Sequence, residues 1–292
     1  MKYDALCIQC ILQVRLREIN SAVADRDKAI ELSLKAVEHA LKLFKENREL
    51  TYVAGSAYSL IAKASPEVVN YYRAAKRNSI AYSWSVIKDL DRYIKDLRDL
   101  ELFKALIKIS IAGNAIDMGV YGYEFHGISM GNVISRELAI DHTVDFYKYV
   151  KAGGKKILWL FDNAGEAVFD IPLIDELRRL GNRVVGLVKD EPGFQNDLSI
   201  GDLNGSGIVE HLDEVLSTGY SGSTIHLSEI SSEAQRALNE SSIVVAKGMS
   251  HYEYLIDVDL GKPVLHLLIP KCDVIARMVG APKGSFVALL RL

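Results

Sequence analysis

The sequence predicts an α/β fold, a mostly parallel sheet in a three-layer α/β/α domain joined to an all-helical N-terminal domain. Before residue 150, apolar residues recur every three or four positions, which is the period of an amphipathic helix. After residue 150, short unbroken apolar runs alternate with amphipathic segments. Such runs are typical of strands buried on both faces of a parallel sheet. We therefore expect two domains, 1–150 and 151–292, with the first contributing a loop to the site of the second.

The N-terminal half is predicted to be a series of helices. One helix carries Ala5, Ile8, Leu12 and Leu16 on one face. Another begins at Pro66, because proline is favoured at the first position of a helix and Ser65 can precede it as the N-cap. The remaining predicted helical segments are 26–46, 84–98, 99–111 and 131–149.

The C-terminal half is predicted to alternate strands with helices. The expected strands are 155–161, 184–188, 243–246, 263–269 and 286–290, and the segment 165–180 is expected to be a crossover helix. The polar stretch 217–224 is expected to be a surface loop. In open α/β sheets, ligands bind outside the carboxyl ends of the strands. The residues that follow each strand are therefore the candidates for a site.

Composition excludes several classes of protein. A chain of 292 residues can bury a core without disulfides or structural metals, and three cysteines do not make a disulfide scaffold. A net charge of −3 gives no general attraction to nucleic acid or anionic lipid. No run of 18 apolar residues exists, and the first residues do not resemble a signal peptide. We expect a cytoplasmic protein with neither nucleic acid nor membrane as a partner.

Oxygen-bearing side chains follow the first two predicted strands. Asp162 and Asn163 come directly after one strand, and Asp197 lies in the acidic loop after the next. Carboxylate and carboxamide oxygens suit hard cations such as Mg²⁺ and Mn²⁺. The alternative is structural, since Asp162 and Asp197 can each cap a following helix and Asn163 can serve a turn.

Positive charge follows two later strands. Lys247 and Gly248 end one of them, and Lys271 follows another. A lysine beside a glycine suits a phosphate site, because glycine lets backbone N–H groups approach an oxyanion. The alternative is a lysine that extends from the sheet edge into solvent. Carboxylates for a metal together with lysines for a phosphate are typical of metal-assisted phosphoryl transfer.

The sequence leaves open the roles of two features in the N-terminal helical half. Cys7 and Cys10 form a single CxxC at the start of a helix, which favours a structural, metal-assisting or packing role over redox catalysis. The segment 113–117, with Asn114, interrupts a helix just before an aromatic loop, Tyr121 to Phe125. That segment is either a plain turn or part of a loop that folds over the metal site.

These motifs together resemble the metal-dependent damage-control phosphatases, a family long known as domain of unknown function 89. The matching stretches are Cys7 to Cys10, 113–117, 162–166, Asn196 with Asp197, 247–253 and 271–274. The resemblance implies an α/β/α domain joined to a helical one, and hydrolysis of small phosphate esters such as sugar phosphates or damaged metabolites. It implies support by cobalt, nickel, manganese or magnesium. Met249, Ser250 and His251 depart from the family pattern, which leaves the substrate preference open.

The resemblance also implies roles for residues. Asp162, Asn163 and Asp197 would hold the metal, and Lys247 would lie near the substrate phosphate with Asn114 close by. In the mechanism we expect, Lys247 balances the charge of the phosphoryl oxygens, and Gly248, Asn114 and Lys271 also contact the substrate. Either Glu253 or Asp190 orients the attacking water.

Three alternatives remain open at this stage. Asp162 could attack phosphorus covalently, but the position two residues later is Ala164, which has no proton to donate. A methyltransferase using S-adenosylmethionine, or a dinucleotide enzyme, would suit a parallel sheet but normally has a glycine-rich turn after the first strand. A non-catalytic protein that binds a phosphorylated metabolite would use the same residues. The sequence leaves the physiological substrate, the native metal and the oligomeric state undetermined.

Overall fold

The computed structural model describes residues 3–117 and 127–292 and contains a seven-stranded sheet. The strands are β1 (Leu138–Asp141), β2 (Lys156–Leu160), β3 (Arg183–Val188), β4 (Glu214–Ser217), β5 (Ile243–Lys247), β6 (Val264–Leu268) and β7 (Phe286–Arg291). Their spatial order is β1-β7-β6-β5-β2-β3-β4. Strands β2 to β6 run parallel to one another, whereas β7 is antiparallel to β6 and parallel to β1. The prediction of a mostly parallel sheet is confirmed.

Helices make up the N-terminal region and cover the sheet. They are α1 (Ala5–Ala22), α2 (Arg26–Lys45), α3 (Leu50–Ala64), α4 (Pro66–Ile87), α5 (Asp91–Ile94), α6 (Asp99–Gly113), α7 (Met130–Ser135), α8 (Thr143–Val150), α9 (Ala164–Arg179), α10 (Ser232–Glu240), α11 (Gly248–Leu255) and α12 (Asp273–Val279). Asp4 and Asp25 cap α1 and α2 by accepting hydrogen bonds from backbone N–H groups of the first turn. Among the described residues, no helix is long and apolar enough to cross a membrane.

The core has one layer on each face of the sheet. Ile157, Trp159 and Phe161 face the cluster formed with α6 and α9, whereas Leu158 and Leu160 face the cluster that includes residues of α10. This alternation is that of a strand whose successive side chains point to opposite faces. Helix α9 packs against both α4 and α6, and twelve of its sixteen residues are buried.

Two segments differ from the predicted elements. The segment 131–149, expected to be one helix, contains α7, β1 and α8, so a strand of the sheet lies before residue 150. Pairing with β7 overrides local helical preference there, and the N–H of His142 donates to the carbonyl of Ala288. In the segment 84–98, α4 ends at Ile87 and only the short α5 follows.

The loop after β3 also differs. The segment between β3 and β4, all of which the structure describes, contains no α-helix; two 3₁₀ turns lie there, Ile200–Asp202, which Ser199 caps, and Val209–His211. Asp197 is therefore not a helix cap. The polar stretch 217–224 is only partly on the surface, since Ser223 and Thr224 are buried.

Candidate functional site

A cavity of about 390 Å³ lies between α1 and the carboxyl ends of the central strands. Five of the residues to which the sequence analysis gave a metal-binding, substrate-binding or catalytic role line it, namely Asp162, Asn163, Asp197, Glu253 and Lys271. Residues from α1 and from the loop before α12 also line it, so both ends of the chain contribute to the walls.

Backbone hydrogen bonds bring the loop after β3 beside the end of β2. The N–H of Leu198 donates to the carbonyl of Asp162 at 2.8 Å, and the N–H of Ala164 donates to the carbonyl of Asn196 at 2.9 Å. Asn163 and Asp197 face each other in an isolated β-bridge. Residues more than thirty positions apart in the chain are thereby held together at one edge of the sheet.

Two asparagines hold the carboxylate of Asp162. Asn114 Nδ2 donates to Asp162 Oδ2 at 3.2 Å, and Asn163 Nδ2 donates to the same oxygen at 3.0 Å. Both amides also donate to Glu166 Oε2, at 2.8 and 3.0 Å. Glu166 belongs to the motif that begins at Asp162, but sequence reasoning gave it no role.

Asn114 and Asn163 are themselves fixed by further hydrogen bonds. Asn114 Oδ1 accepts from the N–H of Ile269 at the end of β6, and Asn163 Oδ1 accepts from Asn196 Nδ2 at 2.6 Å. Asn114 thus ties α6 to the strand ends. The aromatic loop Tyr121 to Phe125, which follows it in the chain, lies outside the described residues.

Lys247 points away from the cavity, in contrast to the expected position beside a substrate phosphate. It is fully buried, and its Nζ lies 3.0 Å from Glu166 Oε1 and 2.8 Å from Asp170 Oδ1. Its Nζ also donates to the hydroxyl of Ser110 at 2.7 Å. Burial alone would lower the pKa of Lys247, but the two carboxylates outweigh burial and raise it. Lys247 is therefore the counter-ion of two buried acids behind the site.

Gly248 leaves the space that the carboxylate of Asp162 occupies. Its φ is +76°, and a β-carbon built on it would overlap the Asp162 carboxylate and lie 3.1 Å from Asn114 Nδ2. The position thus requires glycine for both backbone conformation and space.

The carboxylates of the site are buried close to one another. Burial, followed by the charges of Asp197 and Glu166, raises the pKa of Asp162 well above its usual value. Burial likewise raises the pKa of Asp197 to about 7, against the opposing effect of Lys189. Asp197 Oδ2 is buried without a hydrogen-bond donor within the described part of the chain, and Lys189 Nζ lies 3.7 Å from it. Lys189 follows β3 directly and is buried beside Asp197, and the sequence analysis gave it no role.

Lys271 and Asp117 form an ion pair on the cavity wall, with Nζ 2.5 Å from Asp117 Oδ2. Glu253 also lines the cavity, as do Cys7, Cys10 and Cys272. Burial raises the pKa of Glu253 to about 7. Asp190 accepts a hydrogen bond from the hydroxyl of Ser217 at 3.2 Å and is not among the lining residues.

The donors at the end of β2 suit a hard divalent cation. Asp162, Asn163 and Asp197 offer two buried carboxylates and one amide oxygen. Asp197 Oδ2, which accepts no hydrogen bond from the described residues, is a group that a cation would satisfy. In the ranges 3–117 and 127–292, no three His, Cys, Asp or Glu side chains are arranged to hold a metal ion. The candidate set therefore depends on the carboxamide of Asn163.

This sheet, with a carboxylate-rich cavity at the ends of its parallel strands, defines the class of open α/β proteins that bind a small ligand there. The family model of the damage-control phosphatase ARMT1-like domain matches residues 4–287. The chain belongs to this family, and its membership makes it a hydrolase of the phosphatase class.

Similar proteins cover nearly the whole chain. A damage-control phosphatase from Archaeoglobus fulgidus is 28% identical, with 99% of each chain aligned. One from Pyrococcus horikoshii is 27% identical over 99% of this chain and 98% of its own. The crystal structure of a DUF89 family protein from P. horikoshii matches with a TM-score of 0.81 at 25% identity, covering 99% of both chains.

Proposed function

We propose that this protein hydrolyses small phosphate monoesters, such as sugar phosphates, in the cavity at the end of β2, with a divalent metal ion as cofactor. The observation that carries the proposal is the pair of buried carboxylates, Asp162 and Asp197, held side by side on the wall of a cavity large enough for a small metabolite. Two acids that burial keeps near each other need a positive charge between them to ionise together.

Asp162, Asn163 and Asp197 are the residues that would hold the metal, and manganese, nickel, cobalt and magnesium are the candidates. When bound, such an ion supplies Lewis-acid polarisation of a phosphoryl oxygen and a lower pKa for a bound water. Asn114 and Glu166 fix the orientation of this ligand set, since the amide of Asn114 donates to both carboxylates.

Lys271 is the cation that this proposal assigns to the substrate phosphate. It lies on the cavity wall, and its partner Asp117 holds the ammonium group in place. Lys247 takes a different role from the one expected, because its contacts are with Glu166 and Asp170. It acts on the site through Glu166 and is a positioning residue. Glu253 is a candidate for proton transfer to the leaving group, since it lines the cavity and its pKa is raised to about 7 by burial.

The test is a panel of phosphate esters assayed after chelation and after addition of each metal. We expect activity to require an added divalent ion, and Asp162→Asn and Asp197→Asn each to lower kcat/KM by at least about 100-fold. Asp96→Asn, at an exposed position outside the site, is the matched control and should behave like the wild type. Full activity of Asp162→Asn, or full activity in the presence of chelator, would rule the proposal out.

A further inference from the structure

Helix α2 carries an exposed apolar stripe made of Ile30, Leu34, Val37 and Leu41. Ile30 is 49% exposed, Leu34 67% and Leu41 38%, and Val37 between them is half-buried. The spacing of four, three and four residues places all four on one face of the helix.

The stripe is separate from the face that packs α2 onto the protein. That second face consists of Ala29, Leu32, Ala36, Ala40 and Leu43, all of which are buried. Isolated apolar side chains on a surface are normal, but a continuous stripe of large ones marks a contact surface. Within the described ranges, no residue of α2 lines the cavity, so this surface is independent of the proposed active site.

We propose that α2 packs antiparallel against α2 of a second copy of this chain, about a two-fold axis level with residues 35 and 36. The stripe is self-complementary in that arrangement, because its spacing is the same in both directions. Ile30 then lies opposite Leu41 of the second copy, and Leu34 lies opposite Val37. An isologous two-fold interface requires this kind of self-complementary patch.

Charges at the two ends of the stripe favour the same arrangement. Asp27 and Lys45 are both exposed, and eighteen residues, or five helical turns, separate them, so they lie on the same side of α2. The two-fold axis places Asp27 level with Lys45 of the second copy, offset by about 1.5 Å along the helix. Neither residue has an ion pair within residues 3–117 and 127–292.

Neighbouring charges of α2 are already used within one copy. Lys35 pairs with Glu31 at 2.5 Å, and Lys28 pairs with Glu67 at 2.6 Å. Asp27 and Lys45 therefore remain available for a partner, and two such pairs form across the axis. The surface is one helix wide. It therefore buries less area than the roughly 1,200–2,000 Å² that is typical of a stable complex. The dimer is expected to be weak and to depend on protein concentration.

The first test measures the molar mass of the full chain by sedimentation velocity over a wide concentration range. We expect the wild type to change from monomer to dimer, and Leu34→Glu to raise the dissociation constant at least tenfold. Met278→Glu is the matched control, since Met278 is a similarly exposed apolar residue, 39% exposed, on α12. A wild type that stays monomeric throughout, or a Leu34→Glu variant that dimerises as well as the wild type, overturns the proposal.

The second test reverses the charges and also decides the matter if Leu34→Glu fails to fold. Asp27→Lys alone and Lys45→Asp alone should each weaken the dimer, because each places like charges opposite each other. The double variant Asp27→Lys/Lys45→Asp should recover wild-type association, because the pair is restored with its signs exchanged. A double variant as weak as the single ones overturns the antiparallel arrangement.

Discussion

The carboxylate of Asp162 lies in the space that a side chain on Gly248 would occupy. The first residue of α11 and the second residue after β2 are therefore matched in shape. This contact joins two neighbouring parallel strands, β5 and β2, at the candidate metal site.

Replacing Gly248 by alanine should displace the Asp162 carboxylate and lower both metal affinity and activity, by at least about tenfold in kcat/KM, since a β-carbon cannot be accommodated without moving Asp162. Gly261→Ala is the matched control, because Gly261 also has a positive φ, +64°, but has open space around it. That variant carries only the backbone strain of about 1–2 kcal/mol. Metal titration and steady-state kinetics of the two variants distinguish the effects; equal losses in both would show that strain alone matters.

Lys247→Met should destabilise the protein by about 3–5 kcal/mol, because it leaves Glu166 and Asp170 buried without their counter-ion. The measurement is urea denaturation at neutral pH. Lys104→Met removes a lysine from a partly solvent-exposed ion pair with Asp141 and should change stability little. A Lys247→Met protein as stable as the wild type would mean that the two acids are neutral in the folded state.

The free energy of unfolding should fall as the pH rises from about 4.5 to about 7, the pKa values of Glu253 in the unfolded and folded states. Burial raises the pKa of Glu253 from 4.5 to about 7 in the folded state, so the folded state binds more protons than the unfolded state between these values. Glu253→Gln should therefore lose less stability between pH 5 and pH 8 than the wild type, by up to about 3 kcal/mol. The exposed Glu137→Gln provides the comparison. Identical pH profiles for Glu253→Gln and the wild type would contradict the raised pKa.

His251 positions the end of β2. Burial lowers its pKa well below the usual value, so the ring is neutral; Nε2–H donates to the carbonyl of Phe161 at 3.1 Å, and Nδ1 accepts from the hydroxyl of Thr224 at 2.9 Å. His251→Leu should destabilise the protein by about 1–3 kcal/mol, because it leaves the buried carbonyl of Phe161 without a donor.

Metal affinity should also fall in His251→Leu. His251 holds the carbonyl of Phe161, and Asp162 is the next residue in the chain. His39→Leu, in a half-buried pair with Ser56 on the helical region, should leave metal affinity unchanged. Calorimetric metal titration of both variants is the measurement, and unchanged affinity in His251→Leu would remove the positioning role.

The sequence predicted the interior strands but not the edge strands. β2, β3, β5, β6 and β7 appear as unbroken apolar runs, and each of them has neighbours on both sides in the sheet. β1 and β4 lie at the edges, are four residues long and are only partly buried, so they lack such a run. Local sequence patterns thus predict the α/β class. The edge strands are not predicted in this way, because they form through pairing with a neighbouring strand.

The candidate site was predictable as far as the strand ends place residues together. Asp162 and Asn163 could be located because they follow a strand directly. The direction in which the Lys247 side chain points could not be predicted. It depends on Asp170, a buried acid one helical turn beyond Glu166 in α9. The role of Lys189 depends on the loop after β3, which folds back to the end of β2. No local pattern in the sequence predicts that the loop folds back.

The position of β7 between β6 and β1 has a consequence for protein synthesis. Residues 138–141 leave the ribosome long before residues 286–291, yet in the part of the chain that the structure describes β7 is the sole sheet neighbour of β1. The nascent chain must therefore keep β1 unpaired until the last strand is translated, and the sheet is completed only after that point.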